Sequence, residues 1–405
     1  MWLSATGTGA RLALPTAALA AVMVWFPQTG NAQASQPPPP GAPLPGLTQG
    51  ELQRFGAGRN DFLHNERPEE GLGPVFNGVA CAQCHRAAAP GGASADTGIS
   101  RVTRIGAIVN GAYTDLAEFG GALIQARSLR EFDPNYPVPR EIVPVQASIV
   151  ARRITTPLFG LGLMEAIPPA TIQLAEDPFD LNGDGVSGRA NLVMNPETGN
   201  IEVGRFGWKA QVSSVHVFSA DAYLNEMGIT NPLFPVEVRP QGQNIPPGAD
   251  RVPDPEDDGS GVARLTDFQR FLAAPPVQPR NSVEGRNLFR TTGCASCHRE
   301  TMQTGFNPVA ALSNKAVNLY SDLLLHDMGP GLGDGIQQGT ASGNEFRTAP
   351  LWGLRFRPFL LHDGRAGNPD QAIRMHGGEA LRSVTNYINL TQPQRDAILG
   401  FLRNL

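Results

Sequence analysis

The chain has 405 residues, a formal net charge of −5 and 41% apolar residues. This length suggests two domains or one domain with large insertions, and the apolar fraction excludes wholesale disorder. Lys209 and Lys315 are the only lysines, and no basic arm or stripe of the kind that binds nucleic acid is present. Glycine (46 residues) and proline (36 residues) are abundant, which predicts short elements joined by long loops.

The N-terminal segment, residues 1–34, has the features of a secretory signal peptide. Arg11 precedes an apolar run from Leu12 to Phe26, and small residues at Asn31–Ala34 fit a cleavage site. An uncleaved N-terminal anchor is the alternative. Residues 35–46 form a proline-rich tether. We therefore expect an exported protein, periplasmic in a Gram-negative cell, with no stable membrane span after signal removal.

Apolar residues at helical spacing predict several helices in the rest of the chain. The first covers Thr48–His64, another runs from about Val262 to Ala274, and a third covers Ser282–Arg290. A capping-box pattern at Thr391–Gln394 begins a terminal helix. The proline-rich and acidic stretch from Asn231 to Asp258 is the expected interdomain connection. No sustained alternation of apolar and polar residues predicts a large sheet.

All four cysteines fall in two copies of one pattern, Cys81-Ala-Gln-Cys84-His85 and Cys294-Ala-Ser-Cys297-His298. Cys-x-x-Cys-His is the attachment sequence of c-type haem. Two cysteines on one helical turn face the same side, so both thiols can reach the vinyl groups of one porphyrin. The adjacent histidine, His85 or His298, then offers a nitrogen to the iron.

The alternatives for these cysteines are a redox dithiol or a zinc site. A zinc site would need the four thiolates together and would leave both histidines unexplained. We therefore predict two covalently bound haem c groups, with no thiol left for disulfide chemistry by the protein.

The stretch Asp180-Leu-Asn182-Gly-Asp184-Gly185 places oxygen ligands at alternate positions with glycine at the sixth, as in the first half of an EF-hand loop. Position twelve holds Asn191 instead of the usual glutamate. Asp180, Asn182 and Asp184 are therefore candidate calcium ligands, and an ordinary Asp/Asn/Gly turn is the alternative.

From Leu47 to its C-terminus the chain resembles the dihaem c-type oxidoreductases, which are related to bacterial dihaem cytochrome c peroxidases and to the methylamine-utilisation dihaem enzyme. Members of the closest subgroup are often labelled thiol oxidoreductases, a label that the cysteine count argues against here. Beside the two haem motifs, the resemblance rests on Gly71–Asn77, Pro157–Pro168, Asp180–Arg189, Gly204–Ala210, Leu325–Pro330, Leu361–Arg365 and Met375–Gly378.

The resemblance implies a mainly α fold of two class-I-like c-type cytochrome domains with long irregular loops and little sheet. Residues 47–258 would form an N-terminal, peroxidatic-type haem domain with insertions. Residues 259–405 would form a C-terminal cytochrome c domain of the electron-transfer type.

The resemblance also implies roles for single residues. In the related peroxidases the C-terminal haem takes its distal ligand from a residue fourteen past the histidine of a His-Asp-Gly string, which is His376 here, with Met375 as the alternative. The distal histidine that those peroxidases carry after the first motif corresponds to Arg101, which suggests an iron with an open position. Glu165 resembles in its place the acid that assists O–O cleavage, and a cap or salt bridge at a turn is the alternative.

The expected function is that of a periplasmic dihaem oxidoreductase with peroxidase-like chemistry, in which the C-terminal haem passes electrons to a peroxide-reactive N-terminal haem. Its partners would be a small redox protein or a quinol-linked donor, and peroxide or another small oxidant. A non-catalytic electron-transfer cytochrome and an oxygenase or cofactor-maturing enzyme on the same scaffold are the alternatives.

Overall fold

A computed structural model describes Met1 and residues 37–277 and 282–405. In this part helices predominate over strands and long irregular loops connect them, as the sequence predicts. The predicted signal peptide lies outside the described residues apart from Met1. The α-helices are α1 (Gln49–Leu63), α2 (Cys81–Cys84), α3 (Leu161–Glu165), α4 (Pro169–Gln173), α5 (Val215–Met227), α6 (Ser260–Phe271), α7 (Val283–Thr291), α8 (Pro369–Met375), α9 (Leu381–Ile388) and α10 (Gln392–Leu402).

The strands are short, and they pair in antiparallel fashion. They are β1 (Val75–Phe76), β2 (Arg101–Val109), β3 (Ala112–Thr114), β4 (Leu123–Ile124), β5 (Arg127–Ser128), β6 (Ile149–Ile154), β7 (Leu192–Asn195), β8 (Asn200–Val203), β9 (Met302–Gln303), β10 (Ala316–Val317), β11 (Leu325–Asp327) and β12 (Glu345–Arg347). Single 3₁₀ turns lie at Pro68–Glu70, Ala117–Phe119, Leu129–Glu131, Pro240–Gly242, Cys294–Ser296, Leu354–Phe356 and Gly378–Ala380.

The first and last helices begin where capping residues satisfy free backbone groups. At α1, the Thr48 amide donates to the Glu51 carboxylate over 2.7 Å, and the Glu51 amide donates to the Thr48 hydroxyl. At α10, the Thr391 amide donates to the Gln394 side chain over 2.9 Å. Both starts follow from the sequence, because a Thr with Glu or Gln three residues later satisfies donors that the helix leaves open.

Helices α1 and α6 pack closely around a glycine and two phenylalanines. A Cβ atom at Gly58 would lie 1.9 Å from the carbonyl oxygen of Arg264, so only glycine permits this approach. Phe62, one turn later, packs against Phe268 with ring centroids 4.7 Å apart. The Phe62 ring also lies 6.1 Å from the ring of His85. This helix pair therefore borders the first Cys-x-x-Cys-His unit.

Helices α7 and α10 repeat the arrangement at the second unit. A Cβ atom at Gly285 would lie 2.2 Å from the carbonyl oxygen of Ala397. Phe289 packs against Phe401 at 5.3 Å, and its ring lies 6.4 Å from that of His298. The glycine and the phenylalanine stand in the same string in both helices, Gly-Arg-Asn-x-Phe. The chain thus builds the surroundings of its two motifs in the same way.

Residues Pro38–Leu405 form one compact unit with two principal apolar cores. Helix α6 contributes Leu265, Phe268 and Phe271 to the first core, although the sequence-based division assigned this helix to the second domain. Helix α6 joins the first core because it packs closely against α1 at Gly58, and the spacing of apolar residues alone does not reveal this contact. The second core gathers residues from Phe289 to Leu405.

A four-stranded sheet surrounds β2, which pairs with β3, β4 and β6. The sequence does not predict it, because Ile105, Gly106 and Ala107 are buried in succession and leave no alternating pattern. Across residues 37–277 and 282–405, no helix has the length and apolar character needed to cross a membrane.

Candidate functional site

The first Cys-x-x-Cys-His unit forms the short helix α2, closed by a hydrogen bond of 3.0 Å from the His85 amide to the Cys81 carbonyl. Burial raises the pKa of the Cys81 and Cys84 thiols to about 12. Burial also lowers the pKa of His85 to about 4, so its imidazole is neutral at physiological pH. Neutral imidazole is the form that binds a metal ion.

The second unit forms a 3₁₀ turn, and the His298 amide donates to the Cys294 carbonyl over 3.0 Å. The Nδ1 atom of His298 lies 3.0 Å from the Tyr320 carbonyl oxygen, so Nδ1 carries the proton and Nε2 is left as an acceptor. Burial lowers the pKa of His298 to about 4. A backbone partner on one ring nitrogen is the usual way to orient a histidine for a metal on the other.

The two cysteine pairs lie in different parts of the fold. Cys81 packs against the first core and Cys294 against the second, and all four thiols are free of disulfides. A single site of four thiolates is therefore contradicted, since the pairs do not come together. The raised thiol pKa values also disfavour the thiolate form that redox dithiols use.

A predominantly apolar cavity of ≈ 220 Å³ opens beside the second unit. Its walls include Cys294, Cys297 and His298 together with Phe346, Leu360 and Val384. Apolar walls around a few polar ligands are the usual surroundings of a tightly held prosthetic group.

His376 reaches the same cavity from the end of α8. Its Nδ1 atom lies 2.6 Å from the carbonyl oxygen of Ala372, so its Nε2 atom is also left as an acceptor. Burial lowers the pKa of His376, and the proximity of His376 also disfavours protonation of His298 and so helps to lower its pKa. The cavity is thus lined by the neutral imidazoles of His298 and His376, each with one nitrogen that has no hydrogen-bond partner among the described residues, and by that of His362, whose pKa burial lowers to about 4. Met375 is 41% exposed and is not among the cavity walls.

His326 lies in the cavity wall between two carboxylates. Its Nε2 atom lies 3.0 Å from Asp322 and its Nδ1 atom 2.8 Å from Glu379, with the Cys297 sulfur 3.5 Å from Nδ1. Burial opposes its protonation, but hydrogen bonds to Asp322, Cys297 and Glu379 raise the pKa of His326 well above its ordinary value. This histidine is therefore a buried cation, unlike His298 and His376.

The other histidines have separate surroundings. His362 lines the cavity and stacks on Phe346 with ring centroids 4.4 Å apart. Exposed His64 lies 3.1 Å from Glu70, and His216 lies 3.1 Å from Glu197.

Glu165 ends helix α3, where protein groups engage both of its carboxylate oxygens. Arg270 of α6 approaches Oε2 at 2.5 Å and Oε1 at 3.0 Å. Oε1 also accepts a hydrogen bond of 2.7 Å from the Val215 amide in the first turn of α5. The residue thus occupies the arrangement that the sequence offered as the alternative, a cap combined with a salt bridge.

In the predicted calcium loop, side-chain oxygens bond to the loop's own backbone. The Asp180 carboxylate accepts from the Gly185 amide at 3.1 Å, Asn182 accepts from the Asp184 amide, and Asp184 accepts from the Val186 amide. Among the described residues, no group of three converging acidic, histidine or cysteine ligands includes Asp180 or Asp184.

Some site residues carry no sequence signal of their own. Asp322 and Glu379 are single acids in otherwise ordinary stretches, yet both contact His326. Glu379 also accepts hydrogen bonds from the amide and hydroxyl of Ser187, which ties the predicted calcium loop to the cavity wall. Arg101 begins β2, and its Nε atom is buried with no partner among the described residues.

The cavity is apolar and brings two neutral imidazoles, each able to bind a metal ion, next to a Cys-x-x-Cys-His unit. The chain carries a second such unit. Together these features define the class of haem-binding oxidoreductases. The family model described as "Di-haem oxidoreductase, putative peroxidase" matches residues 145–246 and 257–405. The chain belongs to this family of di-haem oxidoreductases, as its resemblance indicated. Haem is accordingly its cofactor.

Comparison with solved structures gives distant similarities. A hydrazine synthase from Kuenenia stuttgartiensis is 14% identical over 95% of this chain and 100% of its own, with a TM-score of 0.35. The diheme peroxidase BthA from Burkholderia thailandensis is 13% identical over 87% of this chain and 86% of its own, with a TM-score of 0.39. No curated protein matches the chain.

Proposed function

We propose that this protein is an exported dihaem c-type peroxidase with an electron-transfer site in its C-terminal half and a peroxide-reactive site in its N-terminal half. The observation that carries the proposal is the unequal supply of imidazoles. His298 and His376 line one cavity, and their Nε2 atoms have no partner among the described residues, whereas the ring contact of His85 is with Phe62.

At the C-terminal site, Cys294 and Cys297 would hold the haem covalently, and His298 and His376 would be its axial ligands. The residues fit this group, because both imidazoles are neutral and oriented by backbone carbonyls. At the N-terminal site, Cys81, Cys84 and His85 would hold the second haem. When bound, the two haems would supply electron transfer at the first of these sites and reduction of peroxide at the second.

The remaining histidines support an open position at the N-terminal site. His64 and His216 contact glutamates, and His326 and His362 line the C-terminal cavity. None of these contacts involves His85, so an iron held by His85 would keep a position open for a small oxidant such as peroxide. A small redox protein or a quinol-linked donor would supply the electrons.

Glu165 is the proposed acid that moves a proton between peroxide oxygens. For this role its carboxylate must be released from Arg270, which holds both oxygens. Two variants separate the possibilities, because Glu165→Gln and Arg270→Gln both break the ion pair but only the first removes the carboxyl group. Loss of peroxide-dependent oxidation of a reduced cytochrome in Glu165→Gln alone supports the role. Equal rates in the two variants make Glu165 a structural residue.

The further parts of the proposal concern organisation. The repeated helix pairs, α1 with α6 and α7 with α10, support two cytochrome c-like domains, with the first extending through α6. Calcium at Asp180, Asn182 and Asp184 would be bound after these side chains leave their backbone partners. The expected compartment is the periplasm, reached through the signal at residues 1–34.

Spectroscopy of the purified holoprotein tests the proposal. A pyridine haemochrome assay should give two haems of c type per chain. Electron paramagnetic resonance of the ferric protein should give one high-spin and one low-spin signal. His376→Ala should convert the low-spin signal to high spin, and Met375→Leu should leave it unchanged. Two low-spin signals in the wild-type protein would instead support an electron-transfer cytochrome, and loss of the signal in Met375→Leu alone would move the ligand to Met375.

A further inference from the structure

Four arginines lie close together in sequence between residues 347 and 365, and two of them are held outside the cavity. Arg355 donates to the carbonyl oxygens of Leu405 at 2.6 Å and Pro276 at 2.9 Å. Arg365 pairs with the Asp363 carboxylate at 2.5 Å and is 42% exposed. Their guanidinium groups are therefore engaged by the protein or by solvent.

The other two, Arg347 and Arg357, line the cavity beside Cys294 and His298. Arg347 is 6% exposed, and among the described residues its guanidinium group donates to backbone carbonyls alone, those of Gly207 and Thr348. Arg357 donates from a single nitrogen, Nη2, to the carbonyls of Pro350 and Trp352. Its Nε atom is buried and has no partner among the described residues.

Neither arginine forms an ion pair within residues 37–277 and 282–405. Asp322 acts on Arg347 electrostatically, but its carboxylate is bonded to His326. Burial lowers the pKa of Arg347 and of Arg357 to about 10, so both still carry their charge at neutral pH. Two buried cations that repel each other without a carboxylate are costly, and a dianionic ligand would remove that cost.

Arg347 and Arg357 lie between two cavities. Besides the larger one, they line a smaller cavity of ≈ 30 Å³, whose walls include Met164, Trp208 and Trp352. They therefore stand in the wall that the two cavities share. The smaller cavity reaches Thr156 and Leu161 on the side of the first core.

We propose that Arg347 and Arg357 bind the carboxylates of the prosthetic group in the larger cavity, the two propionates of its haem. Planar guanidinium groups match carboxylates through paired hydrogen bonds, and burial strengthens such contacts. The pair would hold the propionate edge toward the shared wall and thus toward the N-terminal half. This inference rests on the proposed haem at His298 and His376.

Single variants of the holoprotein, Arg347→Gln and Arg357→Gln, test the inference, with Arg365→Gln as the matched control. Two measurements apply: the midpoint potential of the low-spin haem by spectroelectrochemistry, and the propionate bending modes in resonance Raman spectra. Loss of a neighbouring positive charge favours the ferric state, so each variant should shift the potential downward and alter the propionate modes. Arg365→Gln should match the wild-type protein.

Lysine variants provide a control for misfolding. Arg347→Lys and Arg357→Lys keep the positive charge but lose the paired donors of the guanidinium group. They should therefore leave the midpoint potential close to the wild-type value and still alter the propionate modes. Unchanged potential and modes in both glutamine variants, with two haems bound, would overturn the inference and leave the proposed function intact. A chain that binds fewer than two haems in its wild-type form would instead overturn the proposed function.

Discussion

Replacement of Gly58 by alanine should weaken the contact between α1 and α6. The new methyl group would lie 1.9 Å from the Arg264 carbonyl oxygen and 2.9 Å from the Phe268 Cβ atom. Since a backbone oxygen cannot turn aside, the helices must separate by roughly 1 Å, and we expect a loss of about 3 kcal/mol, at the upper end of ordinary overpacking. Because Phe62 and Phe268 move with these helices and Phe62 lies beside His85, the absorption spectrum of the haem proposed at His85 should change as well.

Gly56→Ala is the matched control, because nothing lies within 4 Å of a Cβ atom at that position of the same helix. It should stabilise the protein by about 0.5–1 kcal/mol, since alanine favours the helix more than glycine does. Urea unfolding followed by far-ultraviolet circular dichroism measures both changes. Equal stability of the two variants would refute the close-packing explanation, as would a stabilising Gly58→Ala.

Two further predictions concern buried cations. Lys209 is fully buried and donates to the carbonyls of Ser342 and Glu345, with the Asp334 carboxylate 3.5 Å away. Lys209→Met should therefore lower the free energy of unfolding by about 3–5 kcal/mol, measured by thermal unfolding. The control Lys315→Met, at an exposed lysine, should leave it almost unchanged. Because the pKa of His326 is raised, its protonated ring contributes fully to stability below the ordinary pKa near 6.5, and this contribution is lost as pH rises from 6.5 through the pKa of the folded protein. The free energy of unfolding should therefore fall as pH rises above 6.5 in the wild-type protein and fall less steeply in His326→Gln. Parallel pH profiles of the two proteins would contradict the assignment of His326 as a buried cation.

The sequence predicts the parts of the fold whose signals are local. The capping-box pattern at Thr391 indicates the start of α10 correctly, because it is complete within four residues. The sheet around β2 escapes notice, because its strands pair across long separations and Ile105 to Ala107 do not alternate. The packing of α6 with the first core could not be predicted for a related reason, since it depends on contacts with α1, α3 and α5, which are distant in sequence.

In the candidate site, too, the residues that the sequence indicates are those with a local signal. Each Cys-x-x-Cys-His unit is contiguous, so its residue order alone indicates haem attachment, and His376 is a candidate through a family resemblance. Asp322 and Glu379 could not be predicted, because a lone acid has no pattern until the fold brings it to a histidine. Glu165 illustrates the reverse case, since its pairing with Arg270 across distant parts of the chain alters the chemistry available to it.

The repeated helix pairs also set an order of assembly. A chain leaves the ribosome from its N-terminus, and contacts between distant segments form slowly. Helix α1 meets its partner only after residue 271 of 405 has been made, whereas α7 and α10 both lie within residues 283–402. Cys81 and Cys84 thus wait through the synthesis of a longer segment than Cys294 and Cys297 do before the helix that completes their surroundings arrives. Under the proposed covalent attachment of haem, the first pair has the longer interval in which an attachment enzyme can reach its thiols.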